Sequence, residues 1–189
     1  MTTAGTLNGF IIAAPSSGSG KTFLTLSLLR AFRARGRNVS SFKVGPDYID
    51  PGFHAAASGR PCINLDPWAM RAETIRNNLA STVDGSDLVI GEGVMGLFDG
   101  AAGGNGSTAD LAESIGFPVV LVIDARGQAA SAAALVHGFA EYRPSLNLAG
   151  VIFNRVGGPR HRDMLLSAMA NRPTPVSYTH LTLPTILRV

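Results

Sequence analysis

A chain of 189 residues with 46% hydrophobic side chains and 22 glycines has room for one α/β domain with a sizeable core, and not readily for two. Its net charge of +3 comes from scattered arginines with no Lys/Arg run and no interleaved aromatics, which argues against a nucleic-acid partner. The single cysteine, Cys62, excludes an intrachain disulfide, and no apolar run approaches the ~20 residues that span a bilayer, so a soluble cytoplasmic protein with no membrane partner is expected.

The first predicted strand covers residues 9–14 and runs straight into Pro15-Ser16-Ser17-Gly18-Ser19-Gly20-Lys21-Thr22, which opens a helical pattern over 22–35. Strand, small-residue loop and helix in that order form the setting of a phosphate-binding loop. Ser17, Gly18, Ser19 and Gly20 let successive N–H groups curl around phosphate oxygens, Lys21 reaches the β- and γ-phosphates, and the Thr22 hydroxyl holds Mg²⁺. Pro15 stands where the first glycine of the usual pattern falls, so this is a variant loop. Nucleoside triphosphate binding is therefore expected, with ATP and Mg²⁺ as cofactors.

A second strand over 39–43 carries Lys43, one of only two lysines among the 16 Lys and Arg residues; the other is Lys21. In a chain that uses arginine everywhere else, both mark places where a compact ammonium is needed and a planar fork would not fit. The following stretch, Val44 to Phe53, holds Asp47 and Asp50 in what reads as a loop stiffened by Pro46 and Pro51. Asp47 suits Mg²⁺ and Asp50 suits a substrate or reacting carboxylate, against the alternative that both cap local N–H groups.

After a helical pattern over 71–82, a buried strand over 88–91 runs into a glycine-studded loop with Glu92 and Asp99. Glu92, at a strand tip near the P-loop strand, is a metal and catalytic candidate, against a solvated loop acid; Asp99 is a catalytic candidate, against a turn former before Gly100. Ser107-Thr108-Ala109-Asp110 is a capping box for a helix over 109–115. Strands over 119–124 and 148–154 and helices over 128–142 and 160–170 complete the alternation. Asn154, at the end of the last strand, can read a purine edge or form a turn, and His54, His137 and His161 show no ligand spacing and receive no role.

The alternation predicts a doubly wound, mainly parallel sheet with helices on both faces, whose strand ends gather every candidate into one crevice. Residues 1–170 form the expected domain. Residues 173–189 break the Ala-rich composition, with three prolines and no acid, so 171–189 is expected to be a non-native or disordered tail.

Three motifs together carry a family resemblance: Ala14-Pro15-Ser16-Ser17-Gly18-Ser19-Gly20-Lys21-Thr22, Phe42-Lys43-Val44-Gly45-Pro46-Asp47-Tyr48-Ile49-Asp50-Pro51 and Glu92-Gly93-Val94-Met95-Gly96-Leu97-Phe98-Asp99-Gly100. In this order they closely resemble the N-terminal synthetase domain of cobyrinic (or hydrogenobyrinic) acid a,c-diamide synthases, over residues 8–170. The resemblance implies a dethiobiotin-synthetase-like P-loop fold and an ATP-dependent carbon–nitrogen ligase of cobalamin biosynthesis, acting on a corrinoid polycarboxylate through an acyl phosphate. Lys21 and Lys43 would stabilise phosphoryl charge, Thr22, Asp47 and Glu92 would hold Mg²⁺, Asp50 and Asp99 would position substrate, and Asn154 would contact adenine.

It further implies that ammonia comes from a glutaminase domain absent here, since Cys62 lacks the context of a nucleophile elbow. Pairing into a homodimer, common in the fold class, is also implied. Nickel-sirohydrochlorin a,c-diamide synthase looks similar in these motifs. A partition-type nucleotide-switch ATPase, an alternative of another class, would carry an extra lysine where this chain has Ser16.

Overall fold

The computed structural model describes residues 8–170 and the backbone of residues 177–178. In chain order the elements are β1 (Gly9–Ala13), α1 (Lys21–Ala34), β2 (Val39–Val44), α2 (Asp50–Ser58), β3 (Cys62–Leu65), α3 (Ala72–Val83), β4 (Leu88–Glu92), α4 (Thr108–Ile115), β5 (Val119–Asp124), α5 (Ala130–Tyr142), β6 (Leu148–Asn154), α6 (Pro159–Ala170) and β7 (Ser177–Tyr178). The strands pair in parallel in the order β3-β2-β4-β1-β5-β6-β7. This is the expected doubly wound sheet. Its order reverses at β1, which lies between β4 and β5 and so sets the crevice at their carboxyl ends.

Alternation along β1 divides the core. Ile11 and Ala13 point to one face and join Ile75 and Leu79 of α3, Leu111 of α4, Val136 of α5 and Leu165 of α6. Ile12 and Ala14 point to the other, where Leu24 and Leu29 of α1 cover them. With both faces covered, every residue of β2 is buried, which is why that strand reads as a continuous run without alternation.

Close packing leaves β4 little room at Gly91, where an added Cβ would meet the buried ring of Phe42 and Ile11 Cγ1. Gly91→Ala is expected to destabilise the chain by about 1–3 kcal/mol through overpacking, read as a lower midpoint in urea. An unchanged midpoint would mean that the Phe42 ring moves aside freely.

Two elements differ from the sequence reading. The stretch taken as a proline-stiffened loop becomes α2 from Asp50 onward, because Pro51 falls at the start of the helix, where a missing N–H leaves nothing unsatisfied. β3 is only four residues long, too short for periodicity to announce. The capping box is present as expected: Ser107 Oγ accepts from Asp110 N–H and the Asp110 carboxylate from Ser107 N–H. The expected tail over 171–189 lies outside the described residues except for 177–178, whose backbone pairs with Gly150 and Val151 of β6. Among the described residues no helix is long and apolar enough to cross a membrane.

Candidate functional site

The loop between β1 and α1 leads into the first turn of α1 and, with Ser17, Gly18 and Gly20, lines a cleft of about 390 Å³. Gly20 precedes the helix at φ +96°, a conformation that glycine adopts at no steric cost, and a Cβ there would run into the Asn154 amide. Ser19 Oγ donates to Ser16 O at 3.0 Å and holds the loop closed. Lys21, the first helical residue and 7% exposed, donates from Nζ to Met95 O at 2.7 Å and Ser16 O at 3.3 Å, which aims its ammonium across the loop's mouth. Burial pulls its pKa below the ordinary lysine value, opposed by the charge of Glu92.

Lys43 and Glu92 arrive together because the β2–β4 register makes them direct partners, and side chains of paired residues leave a parallel sheet on the same side. Both are buried, with Lys43 Nζ 2.8 Å from Glu92 Oε1. Thr22 Oγ1 donates to the same Oε1 at 2.5 Å, and Lys43 Nζ also donates to Asp50 Oδ2 at 2.5 Å. Asp50 is 3.4 Å from Thr22 Oγ1, and Asp47 Oδ2 lies 3.6 Å from Lys43 Nζ. The ammonium of Lys43 therefore sits among three carboxylates beside the P-loop hydroxyl.

Glu92 is the last residue of β4, fully buried, and so corrects the reading that put it in the following loop. The sheet carries it into the site, which a loop acid would have to reach by itself. Burial opposes its charge, yet hydrogen bonds from His54, Lys43 and Thr22 outweigh this and hold its pKa below the usual glutamate value. Lys43 is shifted upward: burial works against its charge, but Glu92 and Asp50 overcome it. Asp47 is lowered although burial raises it, since its Oδ1 accepts from Asp50 N–H and Ile49 N–H, both at 2.9 Å.

His54, to which the sequence reading assigns no role, is brought into the site by α2. His54 is fully buried on α2, with Nε2 2.7 Å from Glu92 Oε2 and Nδ1 3.6 Å from Cys62 Sγ. The missed signal is the spacing Asp50 to His54: once Pro51 is read as opening a helix, the two share one face. Burial disfavours its charge, but hydrogen bonds to Cys62 of β3 and Glu92 of β4 raise its pKa from 6.5 to about 9, with Lys43 of β2 the nearby like charge.

A folded pKa above the unfolded one adds stability that is complete below pH 6.5 and is lost as pH climbs through about 9. Urea titrations between pH 6 and 10 should show stability falling by up to about 3 kcal/mol, and a flatter profile in His54→Gln. Identical slopes in both proteins would contradict this.

The remaining candidates act on the loops. Asp99 Oδ2 accepts from Gly96 N–H at 2.9 Å, bracing the segment that supplies Met95 O to Lys21. Asn154 Nδ2 donates to Ser19 O at 2.9 Å, and Arg155, at φ +59°, donates to Gly18 O at 2.8 Å and to Asp124. Arg126 and Arg155 together hold the Asp124 carboxyl well below the usual range. Asp124 and Arg126 thus support Arg155, which lines the cleft.

Thr22 Oγ1, Glu92 Oε1, Asp47 Oδ2 and Asp50 Oδ2 form a set of hard oxygen donors at the loop. Among the described residues no group of three or more His, Cys, Asp and Glu forms a metal cage of its own. Such a partial set matches a cation that keeps waters and shares phosphate oxygens, as Mg²⁺ does.

The family model described as CbiA, the CobQ/CobB/MinD/ParA nucleotide binding domain, matches residues 10–184. The chain belongs to this family. Among its relatives, hydrogenobyrinate a,c-diamide synthase of Rhizobium meliloti is 54% identical over 170 residues, covering 90% of this chain and 40% of the relative. The proteins of the same name from Brucella ovis and Rhodobacter capsulatus are 55% and 54% identical, over 90% and 85% of this chain and 39% and 38% of their own lengths. This CbiA chain therefore spans about 40% of the length of the curated relatives it matches.

Solved structures agree on the fold. Signal recognition particle 54 kDa protein from Aeropyrum pernix, in complex with GDP, superposes with a TM-score of 0.60 at 22% identity over 87% of this chain and 39% of its own. Hydrogenase maturation factor HypB from Archaeoglobus fulgidus gives 0.53 at 15% identity, over 93% and 81%. At such identities the likeness is one of fold.

Proposed function

We propose that this CbiA domain is the synthetase part of a hydrogenobyrinate a,c-diamide synthase of cobalamin biosynthesis, working in the cytoplasm. The observation that carries the reading is the convergence of Lys43, Asp50, Glu92 and Thr22 beside the P-loop, with Glu92 Oε1 within 2.5 Å of Thr22 Oγ1 and 2.8 Å of Lys43 Nζ. A nucleotide-binding loop by itself serves many chemistries. Lys43 on a buried acid cluster, with Lys21 across the mouth of the loop, suits the transfer of a phosphoryl group to an anionic acceptor, where charge must be neutralised on both sides of the bond. The relatives' shared name supports a corrinoid as that acceptor.

In this reading a side-chain carboxylate oxygen of the corrinoid attacks the γ-phosphorus of ATP, the bond to ADP breaks, and an acyl phosphate forms. Ammonia then attacks the acyl carbon, phosphate leaves, and a proton is lost to leave the amide. The P-loop amides and Lys21 bind the β- and γ-phosphates, and Lys43 offsets charge on the transferring group. Asp50 and Asp99 position the acceptor or the loops that hold it. Asn154, which donates to Ser19 O, would contact adenine. Thr22, Glu92 and Asp47 would hold Mg²⁺, which when bound neutralises phosphate charge. The curated relatives are more than twice as long, and we place the glutaminase that supplies ammonia in their remaining length.

The test is mass spectrometry of hydrogenobyrinic acid incubated with the purified chain, ATP, Mg²⁺ and ammonium. We expect mono- and diamides that require ATP and are not formed with glutamine in place of ammonium. Folded protein that binds ATP yet yields no amide from hydrogenobyrinic or cobyrinic acid would overturn the assignment for this chain.

A further inference from the structure

The two oxygens of Glu92 have separate duties. Oε1 faces the cleft and meets Thr22 and Lys43, whereas Oε2 faces away, toward α2, and meets His54 Nε2 at 2.7 Å. A glutamate carboxyl on three rotatable bonds has no intrinsic preference for this arrangement, and here both the acid and the imidazole are fully buried. A carboxylate can only accept, so Nε2 must carry the proton and donate it, whichever charge state the ring has.

His54 is fully buried and is not itself part of the cleft lining, which it meets only through Glu92. One helical turn earlier on the same element, Asp50 bonds the other side of Lys43. Helix α2 therefore places both acids around one ammonium: Asp50 directly, and Glu92 through His54. On the far side of the ring, Cys62 Sγ at 3.6 Å from Nδ1 limits its rotation.

We propose that His54 is a positioning residue whose Nε2–H fixes Glu92 Oε2, so that Oε1 is presented to Thr22 and Lys43. This rests on Glu92 being the working carboxylate of the site, as above. The arrangement parallels the outer-shell partners that orient metal-ligating groups, whose removal typically weakens metal affinity by 10–100-fold.

The chain's two lysines allow a direct test, since acetylation by an N-hydroxysuccinimide ester followed by peptide mass spectrometry compares Lys43 with Lys21 as an internal standard. His54→Met fills the space without a donor, and His54→Gln keeps a donor near Nε2. Expected is at least a threefold rise in the Lys43 to Lys21 labelling ratio for His54→Met and a change of less than twofold for His54→Gln. In nucleotide titrations His54→Met should also need about tenfold more Mg²⁺ to strengthen ATP binding, with binding in EDTA unchanged.

Met and Gln variants that behave alike in labelling would overturn the proposal, because a residue needed only for packing does not distinguish them. If His54→Met fails to fold, His54→Asn, whose amide falls short of Oε2, takes its place with the same expectation. A wild-type chain whose ATP binding ignores Mg²⁺ would sink the metal-side reading of Glu92, while the labelling ratio, which needs neither ligand, still decides on His54.

Discussion

Lys21→Ala is expected to weaken MgATP binding roughly a hundredfold and to abolish ATP-dependent amide formation. Its ammonium already rests on two carbonyl oxygens, Met95 O and Ser16 O, which in the proposed reading hold it ready for the outer phosphates. When phosphate oxygens replace those carbonyls, two charge-assisted hydrogen bonds of about 1.5 kcal/mol each are gained in a partly dehydrated site. Losing both removes about 3 kcal/mol, or two orders of magnitude in affinity. Calorimetric titration with MgATP measures it, with circular dichroism to check the fold. Lys21→Arg should not restore binding, because a planar fork cannot take the place of a compact ammonium at the loop's mouth. Affinity within tenfold of wild type for Lys21→Ala would remove Lys21 from the binding machinery.

Lys43→Met is expected to lower stability at pH 7 by about 3 kcal/mol, since breaking a buried ion pair strands the partner's charge. Lys43 is 3% exposed and bonds Asp50 at 2.5 Å and Glu92 at 2.8 Å. Without it Glu92, fully buried, keeps the hydrogen bond from His54 and the charge of Lys21. In a domain of this length that loss lowers Tm by about 10 °C. Adding Glu92→Gln should recover part of it, because the stranded charge is then gone.

The pH dependence has a definite sign. Glu92 has a folded pKa below its ordinary 4.5, so its pairing stabilises above pH 4.5 and is lost as pH falls through the folded value. The gap between wild type and Lys43→Met should therefore narrow in acid. A gap that persists at pH 3 would show that lost packing, and not a stranded carboxylate, sets the difference.

The nucleotide loop was legible in the sequence because its determinants are local. Strand, small-residue loop, Lys21-Thr22 and helix are contiguous, and hydrogen bonds within the loop and its first helical turn build the cradle. The parallel sheet was legible for a related reason: with helices on both faces its strands are unbroken apolar runs. The rarity of lysine marked Lys21 and Lys43, and both line the cleft.

What the sequence left open depends on contacts between distant segments. Whether Glu92 is a strand residue or a loop acid turns on the β2–β4 register, which pairs it with Lys43 across 49 positions of chain. Helix α2 was hidden because proline, which breaks a helix in its interior, favours its first turn, and only packing against α1 and β2 selects between these. His54 was passed over for the same reason: its meaning lies in Glu92, 38 residues away, and a lone histidine shows no spacing that names such a partner. Local chemistry thus determined what this chain binds, while the register of its strands and the docking of one helix decided which carboxylates surround Lys43.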